Sequence, residues 1–437
     1  MKKVLVLGAG LVSRPLVRYL LDHGYAVTVA SRTVAKAEKL VAGHENGRAL
    51  ALNVDDVEAM RRLVAECDAA VSLLPATRHP EVARACLDLG KHMATTSYVS
   101  PAMRALDAEA RDKDLLLLNE MGVDPGIDHM SAMKVIHQAE QQGAVLVGFS
   151  SWCGGLPAPE ANDNPFGYKF SWSPKGVLIA ARNSARYLRD GRVVEVPAER
   201  LFAEPATVEI PGVGTFEGYP NRDSVSYLDT YGFDERVRDM FRGTLRNQGH
   251  CRLYTQLIAL GLLEDEPQRS FAGLTYRKLL EQIVGAPVEQ AVAGKLQVEP
   301  GQSPLEALRF IGMLADEPVA VEQGSVMDVL AERMARHLAY RPGERDMLIM
   351  RHDITFQLPD GARETVTAIM VDYGIPGGDS SMARTVSLPA AIGVRLLLEG
   401  RIPLRGVQIP VRPEIYEPAL QELEKLGITF TETRTRH

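Results

Sequence analysis

The chain has 437 residues, 46% of them apolar and 24% charged, which is an ordinary globular composition and too long a chain for a single hydrophobic core. Its 49 basic and 56 acidic residues give a net charge of −7, which argues against nucleic acid as a ligand because phosphate binding needs a concentrated basic face. No apolar run reaches the roughly 18 residues of a membrane span. With no recognisable signal peptide either, we expect a cytoplasmic protein without a membrane partner.

The cysteines and histidines show no pattern typical of a metal site. Cys67, Cys86, Cys153 and Cys251 are scattered without a C-x-x-C pair, so we expect no disulfide framework and no zinc. His129 has no second ligand at metal spacing and is interpreted as structural. We therefore predict that no metal is bound.

The first motif lies between a predicted strand at residues 3–7 and a predicted helix that runs to His23. Gly8 permits a tight turn, Gly10 lets the backbone approach a pyrophosphate, and the small Ser13 replaces a third glycine. The free N–H groups of the helix N-terminus favour phosphate at the same place. This order of strand, glycine turn and helix predicts cofactor contacts from Gly8, Gly10, Leu11, Val12 and Ser13.

Strands and helices alternate through the rest of the first third. The predicted strands are 25–30, 48–52, 69–74, 92–95 and 115–118, and the predicted helices are 56–65, 79–89 and 101–112. Five or six parallel strands with right-handed crossovers form a doubly wound Rossmann sheet, whose ligands lie at the carboxyl ends of the strands. From these ends we expect cofactor contacts by Asn53, Val54, Leu74 and Ser97, whereas Asp55 and Asp56 are interpreted as caps of the next helix.

The end of the second strand indicates which dinucleotide binds. An NAD enzyme usually has Asp or Glu there, but this chain has Ser31-Arg32-Thr33. A guanidinium with two adjacent hydroxyls suits a 2′-phosphate, and Lys36 adds a charge one turn later. The alternative is that Arg32 is only a solvated residue at a strand end. In this context the sequence favours NADP(H) over NAD.

Longer motifs lie beyond residue 95 and are spread over most of the chain. They are 96–100, 119–129, 153–160, 164–174, 218–224, 242–246 and 381–386. Together with the glycine turn, these segments resemble the saccharopine dehydrogenase family, in particular its NADP-dependent, glutamate-forming saccharopine reductases. Ordered motifs of this length extend the resemblance well beyond a shared Rossmann domain.

The resemblance implies an α/β fold with three parts and a homodimer. The first part is a Rossmann domain at 1–123 that is completed by about 389–437. The second is a central α/β domain for substrate and dimer contacts at 124–253 and 346–388, and the third is a small all-helical insertion at 254–345. The sequence agrees on its own terms. It predicts helices at 275–283, 325–337 and 389–400, and strands around the turn at 359–361.

The reaction implied by the resemblance belongs to lysine metabolism. Glutamate and 2-aminoadipate 6-semialdehyde condense to an imine, and hydride transfer from NADPH gives saccharopine, a secondary amine with three carboxylates. The small-molecule partners are thus these two substrates and saccharopine. Three carboxylates call for cationic groups, and Arg222 and Arg246 lie within the matching motifs.

The resemblance also implies roles for particular residues. Asp124 stabilises a protonated imine or acts as an acid–base group, with a helix cap before Pro125 as the alternative. Cys153 is either an acid–base group or an inert buried thiol. The further expected contacts are Tyr98 as catalytic and substrate-binding, Val99, Thr244 and Leu245 as substrate-binding, Val123, Pro125 and Ser173 as cofactor-binding, and Tyr168 and Lys169 as weaker carboxylate ligands.

Two other functions stay open on the sequence alone. One is a related reductase of another carboxylated imine, such as a carboxyspermidine-type dehydrogenase, which needs fewer cationic groups for carboxylates. The other is a non-catalytic NADP-binding sensor, which leaves the polar and cationic motifs of the middle of the chain unexplained. The pair Arg222 and Arg246 favours the saccharopine reaction over both.

Overall fold

The structure is a computed structural model and describes residues 1–296 and 304–437. The strands are β1 Lys3–Leu7, β2 Ala26–Ser31, β3 Gly47–Ala51, β4 Ala69–Ser72, β5 His92–Thr95, β6 Leu116–Leu118, β7 Val145–Pro157, β8 Ala185–Arg189, β9 Arg192–Val196, β10 Ala206–Ile210, β11 Gly214–Pro220, β12 Asp239–Arg246, β13 Arg269–Ser270, β14 Gln323–Gly324, β15 Asp346–Gln357, β16 Arg363–Tyr373, β17 Gly406–Gln408 and β18 Thr431–Arg436. The helices are α1 Ser13–Asp22, α2 Val34–Val41, α3 Val57–Ala65, α4 His79–Asp88, α5 Pro101–Arg104, α6 Asp107–Asp112, α7 Ile127–Gln141, α8 Pro174–Ala180, α9 Tyr227–Tyr231, α10 His250–Ala259, α11 Tyr276–Val284, α12 Val288–Leu296, α13 Leu305–Phe310, α14 Val326–His337, α15 Ser381–Leu398 and α16 Pro413–Lys425.

Contacts group the chain into two compact units. Unit 1 comprises Met1–Val145, Leu358–Gly361 and Met370–Thr433, and unit 2 comprises Leu146–Gln357, Ala362–Ile369 and Arg434–His437. The segment 254–345 lies inside unit 2. The division into three domains that the resemblance implies stays a prediction.

Unit 1 is built on a parallel sheet with the strand order β17-β6-β5-β4-β1-β2-β3. The predicted doubly wound sheet is confirmed, and β17, from the C-terminal part of the chain, adds a strand beside β6. The strand order reverses between β1 and β4, and such a switch point is where a doubly wound sheet binds its ligand. The glycine turn after Leu7 lies at this point.

The long apolar helix α15 belongs to the core of unit 1. It has the length and hydropathy of a membrane span, but 78% of its apolar window is buried in the fold, where it packs on α1. The predicted start at Pro389 is wrong, because the helix begins at Ser381 and Pro389 lies within it. Ser380 provides the start, since its side chain accepts a hydrogen bond from the Ala383 amide at 3.0 Å.

Local capping explains other helix boundaries. The segment predicted as one helix at 101–112 is two, α5 and α6, and Ser100 caps the first by accepting from the Met103 amide. In unit 2, Ser325 and Asp328 form a capping box at the start of α14. These polar side chains satisfy amides that the first turn of a helix leaves without partners.

Unit 2 is built on a mixed sheet with the order β10-β11-β12-β7-β15-β16-β18, to which the β8–β9 hairpin is added. The glycine-rich stretch at 153–155 lies within β7. Gly154 is required there: a Cβ atom on it would lie 2.6 Å from the Leu245 carbonyl oxygen of β12. Helices α10 to α14 pack into one hydrophobic core, and the short pair β13–β14 lies among them.

Candidate active site

The glycine turn of unit 1 has the geometry of a phosphate cradle. Gly8 has φ +113°, and a Cβ there would lie 3.0 Å from the Leu73 carbonyl oxygen, so only glycine fits. A Cβ on Gly10 would meet nothing within 4 Å, so space is open beside its backbone. The buried Ser13 hydroxyl accepts from the Gly10 amide at 3.0 Å and donates to the Gly8 carbonyl at 3.3 Å. Ser13 thus closes the turn, which a third glycine cannot do.

Arg32 is available for a 2′-phosphate. It is exposed after β2 and forms no ion pair with any residue that the structure describes. Thr33 follows as the N-cap of α2, where its hydroxyl makes no capping bond. Ser31, Arg32 and Thr33 therefore leave one guanidinium and two hydroxyls uncommitted, and this donor set fits NADP(H).

The expected roles of Asp55 and Asp56 separate in the structure. Asp56 caps α3, since its Oδ1 accepts from the Ala59 amide at 2.9 Å. Asp55 instead forms an ion pair with Arg78. The predicted cap is therefore right for Asp56 and wrong for Asp55. Asn53 stays at the end of β3, where its Oδ1 accepts from the Asp55 amide at 3.3 Å.

A buried histidine joins the ends of β4 and β5. His79 Nδ1 lies 2.9 Å from the Ser72 hydroxyl, and its Nε2 lies 2.9 Å from the Ser97 hydroxyl and 3.1 Å from that of Thr95. Burial lowers the pKa of His79 to about 4, so the ring is neutral at physiological pH. His79 thus fixes the orientation of Ser97, a predicted cofactor contact.

The predicted catalytic residues Tyr98 and Asp124 contact each other. The Tyr98 hydroxyl donates to Asp124 Oδ1 at 2.8 Å. Asp124 is not a helix cap, because α7 begins at Ile127 with Gly126 as its N-cap. A hydrogen bond from the Gly122 amide to the Pro125 carbonyl at 2.9 Å closes the loop that carries Asp124.

Within unit 2, strand pairing brings Cys153 and Thr244 together. They are register partners of the parallel strands β7 and β12, and Tyr219 of β11 pairs with Thr244 from the other side. Cys153 is half-buried, whereas the other three cysteines are buried.

Arg246 is a buried cation without a carboxylate partner among the described residues. It is 7% exposed, and its Nη1 donates to the Leu245 carbonyl at 2.8 Å, while Nε has no hydrogen-bond partner there. The Tyr168 and Tyr219 rings lie 5.1 and 6.0 Å from the guanidinium. Glu217, the register partner of Arg246 on β11, accepts from the Gly249 and Cys251 amides, and it forms no ion pair with Arg246 in the part of the chain that the structure describes.

The aromatic residues around Arg246 are uncharged. His250 stacks on Tyr254 with 4.1 Å between ring centroids, and the Tyr254 hydroxyl and His250 Nδ1 lack partners among the described residues. Burial, and then the nearby charge of Arg246, lowers the pKa of His250 well below its ordinary value. Burial also raises the pKa of Tyr254. We call Arg246 with Tyr168, Tyr219, His250 and Tyr254 the arginine box. Because a buried unpaired charge is costly, the arginine box is suited to an anionic ligand.

The other predicted binding residues of unit 2 differ in exposure and in their hydrogen-bond or ion-pair partners. Arg222 is exposed in the loop after β11 and has φ +52°, an unusual conformation for a non-glycine residue and one enriched at functional sites. Lys169 is not available for a substrate carboxylate, since its ammonium pairs with Asp163 at 2.9 Å and Glu344 at 2.7 Å. Ser173 caps α8 by accepting from the Gly176 amide at 3.2 Å.

Sequence reasoning missed several members of these clusters. His79 was passed over because a histidine at a helix start gives no motif, although its place directly after a predicted strand end is a usable signal. His250 and Tyr254 were missed because they lie four residues apart on α10, where that spacing also suits ordinary core packing. Within the described residues, no group of His, Cys, Asp or Glu is arranged to hold a metal ion.

Comparisons with known proteins agree with this geometry. The family model "Saccharopine dehydrogenase NADP binding domain" matches residues 4–118, and "Saccharopine dehydrogenase C-terminal domain" matches residues 122–428. The first match confirms the predicted cofactor, NADP(H).

Named relatives match over nearly the whole chain. The saccharopine dehydrogenase [NADP(+), L-glutamate-forming] of Pyricularia oryzae is 39% identical, over 99% of this chain and 98% of its own length. The chain is also 39% identical to the mitochondrial alpha-aminoadipic semialdehyde synthase of Bos taurus, of which it covers 48%.

A solved structure matches as well. The apo histidine-tagged saccharopine dehydrogenase (L-Glu forming) from Saccharomyces cerevisiae superposes with a TM-score of 0.91 at 37% identity, and the match covers 100% of both chains. The resemblance seen in the motifs therefore holds for sequence and fold alike. The chain belongs to the saccharopine dehydrogenase family.

Proposed function

We propose that this chain is an NADP(H)-dependent saccharopine dehydrogenase of the L-glutamate-forming type, an oxidoreductase acting on CH–NH donors in lysine metabolism. In the reductive direction the amine of L-glutamate and the aldehyde of 2-aminoadipate 6-semialdehyde form an imine with loss of water. When bound, NADPH supplies the hydride that reduces the imine carbon, and saccharopine results. In the oxidative direction the same steps run in reverse.

The observation that supports this proposal best is the arginine box. A guanidinium that is 7% exposed and lacks a carboxylate partner among the described residues is unfavourable unless a ligand supplies the anion. Arg246 presents a planar fork of donors that matches a carboxylate, and the neutral rings around it leave its charge uncompensated. Saccharopine and glutamate both provide such a carboxylate.

The residues of unit 1 have complementary roles. The glycine turn at Gly8 and Gly10 holds the pyrophosphate, and Arg32 binds the 2′-phosphate. Asp124 accepts a hydrogen bond from Tyr98 and is therefore suited to be the anion that stabilises a positively charged, protonated imine. Tyr98 keeps this carboxylate oriented.

The decisive experiment is a turnover assay. Purified protein with 2-aminoadipate 6-semialdehyde, L-glutamate and NADPH should lose absorbance at the reduced nicotinamide band and form saccharopine, identified by its mass. L-Alanine in place of L-glutamate should react far more slowly because it lacks the side-chain carboxylate. Failure to oxidise NADPH with any acidic amine would contradict the proposal, and fast turnover with a diamine would favour a carboxyspermidine-type reductase.

We also propose that the protein forms a homodimer through the sheet of unit 2. A cavity of about 800 Å³ opens on this sheet, and Trp152, Tyr187 and Phe241 are among the residues that line it. Trp152 lies flat on Gly218, where a Cβ would come within 2.3 Å of the ring. Charged residues such as Arg189 and Asp239 also line this cavity, and aromatic side chains beside charged ones suit a subunit interface with a polar rim. Light scattering should give twice the monomer mass of 47.9 kDa, and Trp152→Glu should return the monomer.

A cytoplasmic location is part of the proposal. The four cysteines, all within the described residues, form no disulfide, which agrees with a reducing compartment. Cell fractionation followed by immunoblotting tests this, and enrichment in an organelle fraction would contradict it.

A further inference from the structure

A buried carboxylate, Glu120, joins the two segments that carry the proposed catalytic pair. Its Oε1 accepts from the Val99 amide at 2.9 Å, next to Tyr98. Its own amide donates to the Ser97 carbonyl at 3.2 Å, so backbone and side chain both bind the segment 97–99. Glu120 is therefore attached to the residue before Tyr98 and to the residue after it.

The other carboxylate oxygen of Glu120 binds the segment that carries Asp124. Oε2 accepts from His129 Nε2 at 2.8 Å, and His129 Nδ1 lies 3.5 Å from Asp128 Oδ2. Asp128 Oδ1 in turn accepts from the Gly126 amide at 2.6 Å, which is part of the loop that follows Asp124. A continuous chain of polar contacts thus runs from Val99 through Glu120 and His129 to this loop.

The side chains of this network are buried, and burying charged and polar groups costs free energy of folding. This indicates a role beyond folding. Glu120 is 6% exposed, His129 0% and Asp128 2%. Glu120 also has φ +58°, a left-handed conformation that is unfavourable for a residue with a side chain. Strain and buried charge at one residue beside a reaction site are typical of preorganised catalytic groups. Glu120 lies between the end of β6 at Leu118 and the loop of Asp124, where it contacts both segments.

We propose that Glu120 is a positioning residue that sets the hydrogen bond between Tyr98 and Asp124 by holding their two segments together. It acts through these residues and does not touch the reacting atoms. His129 transmits the constraint from Glu120 to the start of α7. This inference rests on the proposed function, because it takes Tyr98 and Asp124 as the catalytic pair.

The test compares two substitutions of Glu120. Glu120→Ala removes the side-chain contacts with Val99 and His129 and should lower kcat about a hundredfold, the effect of a displacement near 1 Å at a catalytic group. The Kd of NADPH should change less than about twofold, since a defect confined to the chemical step spares ground-state binding. Glu120→Gln keeps an acceptor for the Val99 amide and should restore kcat to within about tenfold of wild type. If Glu120→Ala does not fold, the double variant that combines Glu120→Gln with His129→Gln is measured in its place.

A double-mutant cycle with Tyr98→Phe shows whether Glu120 works through the pair. If it does, Glu120→Ala adds little to the loss that Tyr98→Phe causes alone. If Tyr98→Phe alone lowers kcat, and the losses in kcat of the two single variants multiply in the double variant, the role of Glu120 is overturned. The proposed function then stays intact. Wild-type kcat in Tyr98→Phe would instead overturn the catalytic role of Tyr98, and with it the basis of the inference.

Asp372→Asn is the matched control. Asp372 is also 6% exposed and in unit 1, and it accepts from the Ser381 hydroxyl at 2.6 Å and from Arg384 at 2.7 Å. Removing this buried carboxylate should lower Tm but leave kcat and its pH profile unchanged. An equal loss of kcat in this control would show that any buried carboxylate of unit 1 has the same effect, and would overturn the inference.

Discussion

Replacement of Arg246 by methionine should separate stability from activity. In a protein without ligand, Arg246 is a buried charge whose only hydrogen-bond partner among the described residues is the Leu245 carbonyl. Methionine has a similar length and removes that charge. We therefore expect Arg246→Met to fold with a Tm close to that of the wild type.

The expected loss of activity follows from the bonds that a carboxylate makes to Arg246. A forked pair contains two charge-assisted hydrogen bonds, each worth about 1.5–3 kcal/mol. A net loss of about 3 kcal/mol corresponds to roughly a hundredfold in kcat/KM. Since this loss comes from substrate binding, KM for L-glutamate should rise, whereas the Kd of NADPH should stay unchanged.

Arg333 offers a matched control for this substitution. It is 2% exposed, and its guanidinium lies 4.3 Å from the Tyr276 ring. Unlike Arg246, it has a carboxylate partner, because its Nη1 lies 3.4 Å from Glu317, and its Nε donates to the Ile311 carbonyl at 2.7 Å. Arg333→Met should lower Tm by several degrees and keep kcat/KM near the wild-type value.

Thermal unfolding by circular dichroism and initial-rate kinetics on both variants are the measurements. If Arg246→Met loses as much Tm as Arg333→Met while kcat/KM stays unchanged, then Arg246 is a structural residue. The interpretation of the arginine box as a carboxylate site would then be refuted.

Three further predictions concern other residues. Arg32→Ala should lower the preference for NADPH over NADH in kcat/KM about tenfold, and an unaltered ratio would mean that another group binds the 2′-phosphate. Iodoacetamide should inactivate the enzyme at Cys153, the one cysteine of the chain that is not buried, and saccharopine should slow this reaction; equal rates with and without saccharopine would place Cys153 outside the substrate site. His79 titrates near pH 4 in the folded protein and near its ordinary 6.5 in the unfolded chain, so the unfolded state takes up a proton first and stability is lost as pH falls from about 6.5 to about 4, by up to about 3 kcal/mol. Urea unfolding of His79→Gln should show a weaker dependence over this range, and an identical dependence would contradict the assignment.

The cofactor half of the site was predictable because its signals are local. The glycine turn, its flanking strand and helix, and Arg32 lie within about thirty residues, and each has a conformational or electrostatic reason to be there. The hydroxyl of Ser13 was expected only as a small group, yet it closes the turn through two hydrogen bonds. The sequence shows that residue 13 is small, but the hydrogen bonds of its hydroxyl depend on the three-dimensional structure.

The arginine box was only partly predictable because its members meet through tertiary packing. Tyr168, Tyr219 and Tyr254 come from segments far apart in the chain, and no periodic pattern relates them. The same limit applies to Glu120 and His129, nine residues apart on either side of a loop. The start of α15 was missed for another reason, since Pro389 was interpreted as the first turn of a helix although burial against α1 accommodates it in the interior.

The contribution of α15 and β17 to unit 1 has a consequence for biosynthesis. The nucleotide-binding segment is translated well before the helix that covers α1 and the strand that pairs with β6, since α15 begins at Ser381 and β17 at Gly406. During synthesis this early segment exposes an uncovered apolar helix face and an open sheet edge, both of which favour aggregation. A fragment ending at Val145 should therefore require chaperones, whereas supplying the C-terminal segment in trans should make it more soluble.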